Sequence, residues 1–186
     1  MNTDLRTLLE SSMPSFAHDR FERFSEFELQ EQVAERIHNL NGTVDLSRVA
    51  GTEHPDYYGS SWLELLGNPP GHPSGRLKRI HDGLLKLVST PEYYFSNVEK
   101  DNWSFYLVDG RYYVSCGTHR TVIGRFFLAC NGFPTVVSGV AVTELLLHKP
   151  VPSKEGFIRR LLNRMVPNPT VERSCAKSRA GRSLLR

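Results

Sequence analysis

Four consecutive residues in this 186-residue sequence combine side chains and backbone that suit the binding of phosphate. They are Gly117, Thr118, His119 and Arg120. A glycine before a helix lets a ligand approach the backbone, and the free N–H groups and dipole of a helix start favour an anion. Thr118 can cap the helix or touch phosphate, Arg120 can pair with it bidentately, and His119 can donate or transfer a proton. The alternative, an ordinary polar helix start, stays open.

The residues before and after this group predict the elements that position it. Two runs of alternating β-rich residues flank Asp109-Gly110, a dipeptide that favours a type I′ turn because both central residues adopt positive φ. Helical spacing begins after Gly117, and Gly132 is placed to end the helix in a left-handed cap. The apolar face of this predicted helix consists of Val122, Ile123, Phe126, Phe127 and Cys130. A hairpin therefore leads into the phosphate-compatible helix start.

The remaining patterns predict a mixed α+β protein with three parts. Residues 1–61 are expected to be a helical N-terminal arm and entry loop, 62–150 a core domain, and 151–186 an amphipathic helix with a basic tail. The predicted elements are a long helix or two short ones over 15–40, a loop over 43–61, a strand over 62–66, a Pro-rich loop over 67–73, a helix over 75–89, a strand over 134–147 with a bulge at Gly139, and a helix over 155–165.

Composition and motifs exclude several classes of protein. No apolar run reaches the roughly 18 residues that a membrane span needs, and the first residues do not resemble a secretory signal. The three cysteines are unclustered, which favours reduced thiols and argues against a zinc site. Neither a Walker A motif nor a dinucleotide-binding glycine motif occurs. We therefore expect a cytoplasmic globular protein.

Charge is distributed unevenly along the chain. Residues 151–186 contain nine Lys or Arg and two Glu, a formal charge of +7, which leaves −4 on the first 150 residues because the whole chain carries +3. A basic tail can bind nucleic acid or an acidic protein surface. A solvated, disordered end with no partner is the equally open alternative.

The order of these motifs resembles the ParB/sulfiredoxin superfamily, in which a strand and a Pro-containing loop precede a helix, a hairpin with Asp-Gly, a G-x-H-R helix start and a closing strand. The matching residues are Asp109–Val114, Gly117–Arg120 and Gly132–Val137, and the resemblance covers residues 62–147. It implies a small mixed domain that binds a nucleotide at the G-x-H-R helix. The sulfiredoxin cysteine position is held by Thr118, and no helix-turn-helix domain follows Leu147, so those two subfamilies are disfavoured.

Within the superfamily, the size and basic tail look most similar to the plasmid-encoded fertility-inhibition group, which includes the oncogenic-suppression protein. That group implies an ATPase and DNase that blocks conjugative or type IV secretion transfer of DNA, with a secretion coupling component as a partner. The alternatives are a non-catalytic adaptor, which would bind a secretion or replication protein through the Phe-rich N-terminal helix, and a small-molecule kinase of the same fold.

The resemblance also suggests roles for individual residues. His119 and Arg120 are the candidate catalytic groups, together with Glu64 as a base or metal ligand or else an ordinary strand-edge carboxylate. Gly117 and Thr118 join them in binding the cofactor, ATP with Mg²⁺. The candidate DNA-binding residues are basic and lie at the start of the helix after the Pro-rich loop and in the C-terminal tail, namely Arg76, Lys78, Arg79, Arg173, Lys177, Arg179 and Arg182.

Overall fold

A six-stranded mixed sheet and five α-helices make up the described part of the chain, residues 1–67 and 80–148 of a computed structural model. The helices are α1 (Leu5–Ser11), α2 (Glu26–Leu29), α3 (Trp62–Leu66), α4 (Ile80–Ser89) and α5 (Thr118–Cys130). The strands are β1 (Glu22–Arg23), β2 (Val33–Asp45), β3 (Val49–Thr52), β4 (Ser104–Val108), β5 (Arg111–Cys116) and β6 (Val136–Leu147). The predicted α+β class is confirmed. None of these helices is long and apolar enough to cross a membrane.

The strand order across the sheet is β1-β3-β5-β4-β6-β2. Three neighbouring pairs are parallel, β1 with β3, β3 with β5, and β4 with β6. The hairpin pair of β4 and β5 and the outer pair of β2 and β6 are antiparallel. Because β3 and β5 are parallel, their carboxyl ends lie at the same edge of the sheet, and α5 begins at that edge directly after β5.

The predicted hairpin and the helix after it are both confirmed. Asp109 and Gly110 adopt φ values of 48° and 77°, as a type I′ turn requires, and Val108 pairs with Arg111 across the turn. The apolar face of α5 is fully buried in the main core through Val122, Ile123, Phe126, Phe127 and Leu128. The helix ends as expected, with Gly132 at a φ of 72° and the Phe133 N–H donating to the Leu128 carbonyl at 2.9 Å.

The helix predicted over residues 15–40 is wrong. A 3₁₀ turn at Ser15–His18, β1 and the single turn α2 precede β2, a 13-residue strand that pairs with β6 along its length. The apolar spacing of this segment suits either element, and long-range pairing with β6 decides in favour of the strand. Gly42 lies inside β2, where an added Cβ would come within 2.9 Å of the Val142 side chain. Residues 1–61 therefore supply three strands of the sheet.

Two further predictions near the core are corrected. The predicted strand at residues 62–66 is the helix α3, because Ser61 and Glu64 form a capping box: the Ser61 hydroxyl accepts from the Glu64 N–H at 3.2 Å, and the Glu64 carboxylate accepts from the Ser61 N–H at 2.8 Å. Gly67 ends the helix with a φ of 121°. The loop predicted over 43–61 contains β3 at Val49–Thr52.

The closing strand agrees with the prediction. β6 spans Val136–Leu147, and Gly139 is a bulge with a φ of 78°, because Gly42 pairs with Val140 while the next residue of β2, Thr43, pairs with Ser138. The helix predicted over 75–89 is observed over Ile80–Ser89. The Pro-rich loop beyond Gly67, the helix predicted over 155–165 and the basic tail lie outside the described residues.

Candidate functional site

The start of α5 lies at the edge of the sheet where β3 and β5 end. Gly117 adopts a left-handed φ of 89°, and the first helical hydrogen bond runs from the Thr121 N–H to the Gly117 carbonyl at 3.0 Å. The N–H groups of Thr118, His119 and Arg120 precede that bond and have no acceptor within the helix. A Cβ on Gly117 would come within 2.7 Å of the Trp103 ring, so this side of the helix start is closed by the protein itself.

Arg120 is held by the protein rather than directed at open solvent. Its guanidinium donates to the Tyr93 hydroxyl at 2.8 Å and to the Asp101 carbonyl at 2.9 Å, and also to the Asn102 carbonyl. It also lies over the ring of Trp103, 5.3 Å from the centroid. All of these partners are neutral, so Arg120 keeps its positive charge while its position is fixed. A bidentate contact with phosphate would require Arg120 to leave these acceptors.

A cavity of about 680 Å³ adjoins His119 and Arg120. Its walls come from α4, from the 3₁₀ turn that follows α4, from the loop before β4, and from the first turn of α5. The lining residues are Asp82, Gly83, Lys86, Leu87, Thr90, Tyr93, Tyr94, Asp101, Asn102, His119 and Arg120. Ligand pockets in proteins commonly measure about 300–1,000 Å³, so this cavity is large enough for a nucleotide.

Charged groups of both signs face this cavity. Among the described residues, neither the carboxylates of Asp82 and Asp101 nor the ammonium of Lys86 has an ion-pair or hydrogen-bond partner. Asp82 and Lys86 lie four residues apart on α4 and therefore share one face of that helix. Burial raises the pKa of the Tyr94 hydroxyl well above its usual range, so this hydroxyl stays protonated and neutral.

His119 lies between the cavity and a small aromatic group. The ring of Tyr57 stands edge-on to it, with ring centroids 6.2 Å apart, and Tyr57 stacks in turn on His54 at 4.2 Å. His119 is half-buried, so one side packs on the protein and the other reaches the cavity. This placement suits a side chain that contacts a ligand in the cavity.

Glu64 does not join the other candidate catalytic residues. Its carboxylate accepts the Ser61 N–H in the capping box and lies 4.0 Å from the Arg20 guanidinium, and it is not part of the cavity wall. The described residues contain no group of three or more His, Cys, Asp or Glu side chains that could hold a metal ion. All seven basic residues predicted to bind DNA lie outside the described ranges.

Several cavity residues were missed by the sequence analysis. Asp82 and Lys86 carried a detectable signal, because polar residues four apart on a predicted amphipathic helix share a face. Tyr93, Asp101 and Asn102 carried none, since they belong to irregular segments that only the folded chain brings beside α5.

Comparisons of the chain with models of protein families, with curated proteins and with solved structures found no match. The resemblance to the ParB/sulfiredoxin superfamily therefore stays a prediction. The motif residues that carry it occupy the hairpin turn at Asp109-Gly110, the start of α5 at Gly117, and the approach to β6 after Gly132. The cavity beside α5 is the structural basis on which a function can be proposed.

Proposed function

We propose that this protein binds a nucleoside triphosphate, with ATP as the first candidate, in the cavity beside the start of α5. The observation that carries the proposal is that His119 and Arg120 of the first turn of α5 line one cavity of about 680 Å³ together with Lys86 of α4, whereas Gly117 and the buried Thr118 do not line it. Backbone N–H groups at the start of a helix, a histidine and a lysine are all donors that suit phosphate oxygens. Donors that contact only phosphate do not distinguish one base from another, so CTP and GTP are candidate ligands as well.

The charged residues of the cavity also fit the Mg²⁺ that accompanies a triphosphate. Mg²⁺ is commonly held by one or two carboxylates together with substrate phosphates and water. Asp82 and Asp101 would hold the ion, since both residues line the cavity and their carboxylates have no partner among the described residues. When bound, the ion would neutralise phosphate charge, while His119 would donate to a phosphate oxygen or move a proton there.

Hydrolysis of the nucleotide and action on DNA form the wider part of this proposal. The resemblance to the ParB/sulfiredoxin superfamily and to its plasmid fertility-inhibition group supports them, as does the formal charge of +7 on residues 151–186. In that reading the protein is an ATPase and DNase that interferes with conjugative or type IV secretion transfer of DNA. Arg76, Lys78 and Arg79 and the basic tail would bind the DNA.

One observation favours a second candidate, a nucleotide-binding protein without turnover. The donors of Arg120 are engaged by Tyr93, Asp101 and Asn102, and Glu64 caps α3 away from the cavity. Arg120 and Glu64, two of the three predicted catalytic residues, therefore have structural roles. The partner surface first expected for an adaptor, a Phe-rich N-terminal helix, is withdrawn because residues 15–40 do not form that helix.

Calorimetric titration with ATP, CTP and GTP, each with and without Mg²⁺, tests the binding proposal. We expect saturable binding of at least one nucleotide, tightened by Mg²⁺, and the proposal is wrong if none of the three binds.

A phosphate-release assay with and without DNA then distinguishes the enzyme from the non-catalytic nucleotide-binding protein. Phosphate release and DNA cleavage support the enzyme, whereas tight binding with neither supports the non-catalytic protein. Turnover that needs a free amino acid or another small acceptor would indicate a kinase.

A further inference from the structure

Lys100 carries a buried ammonium group that none of the predicted functions uses. Only 5% of the residue is exposed. Its Nζ donates to three main-chain carbonyls, those of Ser96 at 2.6 Å, Val98 at 3.2 Å and Ser138 at 2.5 Å. An ammonium has three N–H donors, so the three carbonyls satisfy it completely.

Within residues 1–67 and 80–148, no acidic side chain pairs with the charge of Lys100. None of the ion pairs among the described residues includes it, and the charged group that affects its pKa is Arg120, a second cation. Burial is the main cause that lowers the pKa of the Lys100 ammonium, and the positive charge of Arg120 lowers it further. A buried cation beside a second cation is unfavourable unless its hydrogen bonds are made, so the carbonyl cage must offset this cost.

The three carbonyls and the lysine join one loop to the sheet. Ser96, Val98 and Lys100 belong to the loop of residues 96–103, whereas Ser138 belongs to β6. The Lys100 N–H also donates to the Gly139 carbonyl at 2.6 Å. The bulge at Gly139 makes this close approach possible, because a Cβ there would lie 2.1 Å from the Val98 carbonyl oxygen.

The same loop forms a wall of the cavity. Asp101 and Asn102 follow Lys100 directly, line the cavity, and accept the hydrogen bonds of Arg120 through their carbonyls. The ring of Tyr93 links the two cations, since Lys100 lies 5.3 Å from its centroid and Arg120 donates to its hydroxyl. The loop is therefore held from the sheet side by Lys100 and from the helix side by Arg120.

We propose that Lys100 is a positioning residue of the cavity, whose caged ammonium fixes the loop of residues 96–103 so that Asp101 and Asn102 face the ligand. The ligand part of this inference rests on the proposed nucleotide function, while the positioning of the loop does not. Shortening the side chain leaves three carbonyls that converge on an empty space of ammonium size, so small monovalent cations should partly replace the ammonium.

The test compares the wild type with Lys100→Met, which removes the charge and keeps a similar length, and Lys100→Gln, which keeps a neutral donor. Hydrogen exchange is followed by mass spectrometry on peptides that cover residues 96–103 and, as an internal control, 33–45 of β2. We expect faster exchange in 96–103 in Lys100→Met, an intermediate rate in Lys100→Gln, and no change in 33–45. A third variant, Lys100→Ala, leaves the space between the three carbonyls empty, and ammonium or potassium ions should slow its exchange in 96–103, whereas the wild type should not respond.

ATP affinity is measured on the same proteins at a temperature where circular dichroism shows each to be folded. Loss of charge-assisted hydrogen bonds predicts binding about tenfold to a hundredfold weaker in Lys100→Met. Unchanged exchange in 96–103, in whichever of the two variants folds, overturns the positioning role, and so does an unchanged ATP affinity where the wild type binds ATP. If exchange rises while the wild type binds no nucleotide, the positioning role stands and the proposed function fails.

Discussion

The hydroxyl of Tyr93 accepts a 2.8 Å hydrogen bond from the guanidinium of Arg120, and this contact joins two walls of the cavity. Tyr93 belongs to the 3₁₀ turn after α4, and Arg120 lies in the first turn of α5. Arg120 thus connects the cavity walls as well as contributing charge.

Replacing Arg120 should therefore lower stability as well as ligand binding. Arg120→Ala removes the contacts to Tyr93, Asp101 and Asn102, and we expect a loss of about 3 kcal/mol in the free energy of unfolding. Tyr93→Phe keeps the ring and removes one acceptor, so a loss of about 1 kcal/mol is expected. Urea denaturation measures both. Wild-type stability in Arg120→Ala would contradict the structural role of this side chain.

Alanine substitutions at two glycines with nearly the same φ distinguish the cost of backbone strain from the cost of a steric clash. Gly139 has a φ of 78° and an added Cβ would lie 2.1 Å from the Val98 carbonyl oxygen, whereas Gly59 has a φ of 77° and nothing within 4 Å. Gly59→Ala should cost about 1–2 kcal/mol from the left-handed backbone alone. Gly139→Ala should lower the free energy of unfolding by roughly a further 1–3 kcal/mol because of overpacking. Equal losses in thermal or urea denaturation would argue against the contact between the 96–103 loop and β6.

Alkaline pH should reveal the environment of Tyr106. Burial, together with the nearby carboxylates of Glu53 and Glu26, raises the pKa of this hydroxyl to about 12. The unfolded chain ionises near pH 10, so the stabilising effect is complete below that pH and is lost as the pH rises towards about 12. Unfolding free energies at about pH 9 and about pH 11 should therefore differ less in Tyr106→Phe than in the wild type. Tyr58→Phe, at an exposed position, serves as the control and should retain the wild-type difference.

The guanidinium of Arg125 lies between two aromatic rings, 4.0 Å from the centroid of Phe16 and 4.1 Å from that of Trp62. A planar cation fits this space, whereas a compact ammonium is strongly hydrated and does not. We expect Arg125→Lys to lose about 2 kcal/mol of unfolding free energy. Arg125→Met should lose less, since an apolar chain of similar size carries no buried charge. A Lys variant as stable as the wild type would contradict the importance of ring stacking.

The elements that the sequence predicted well depend on local chemistry. The hairpin follows from Asp109-Gly110, and the extent of α5 follows from Gly117, its apolar spacing and Gly132. The capping box of Ser61 and Glu64 is equally local, and the signal for α3 was present in the sequence although we predicted a strand.

The elements that were missed depend on distant parts of the chain. β2 is a strand because it pairs with β6, and its last residue, Asp45, lies opposite Val136. The apolar spacing of residues 15–40 suits a helix or a strand, and no local feature chooses between them. The same holds for the cavity, where the start of α5 was predicted but Asp101 and Asn102 were not, because an irregular loop has no periodicity to read.

The central claim is that the cavity beside α5 binds a nucleoside triphosphate, and a charge reversal at Lys86 tests it most directly. Lys86 is exposed, lines the cavity and has no partner among the described residues, so Lys86→Glu should fold normally. Arg6→Glu, the same charge reversal on the exposed face of α1, is the control, and it removes only a solvent-exposed ion pair with Glu10, which stabilises little. In calorimetric titrations with ATP and Mg²⁺, we expect saturable binding by the wild type and the control, and binding at least about tenfold weaker by Lys86→Glu. Equal affinity in all three proteins, or no binding by the wild type, would contradict the assignment of this cavity.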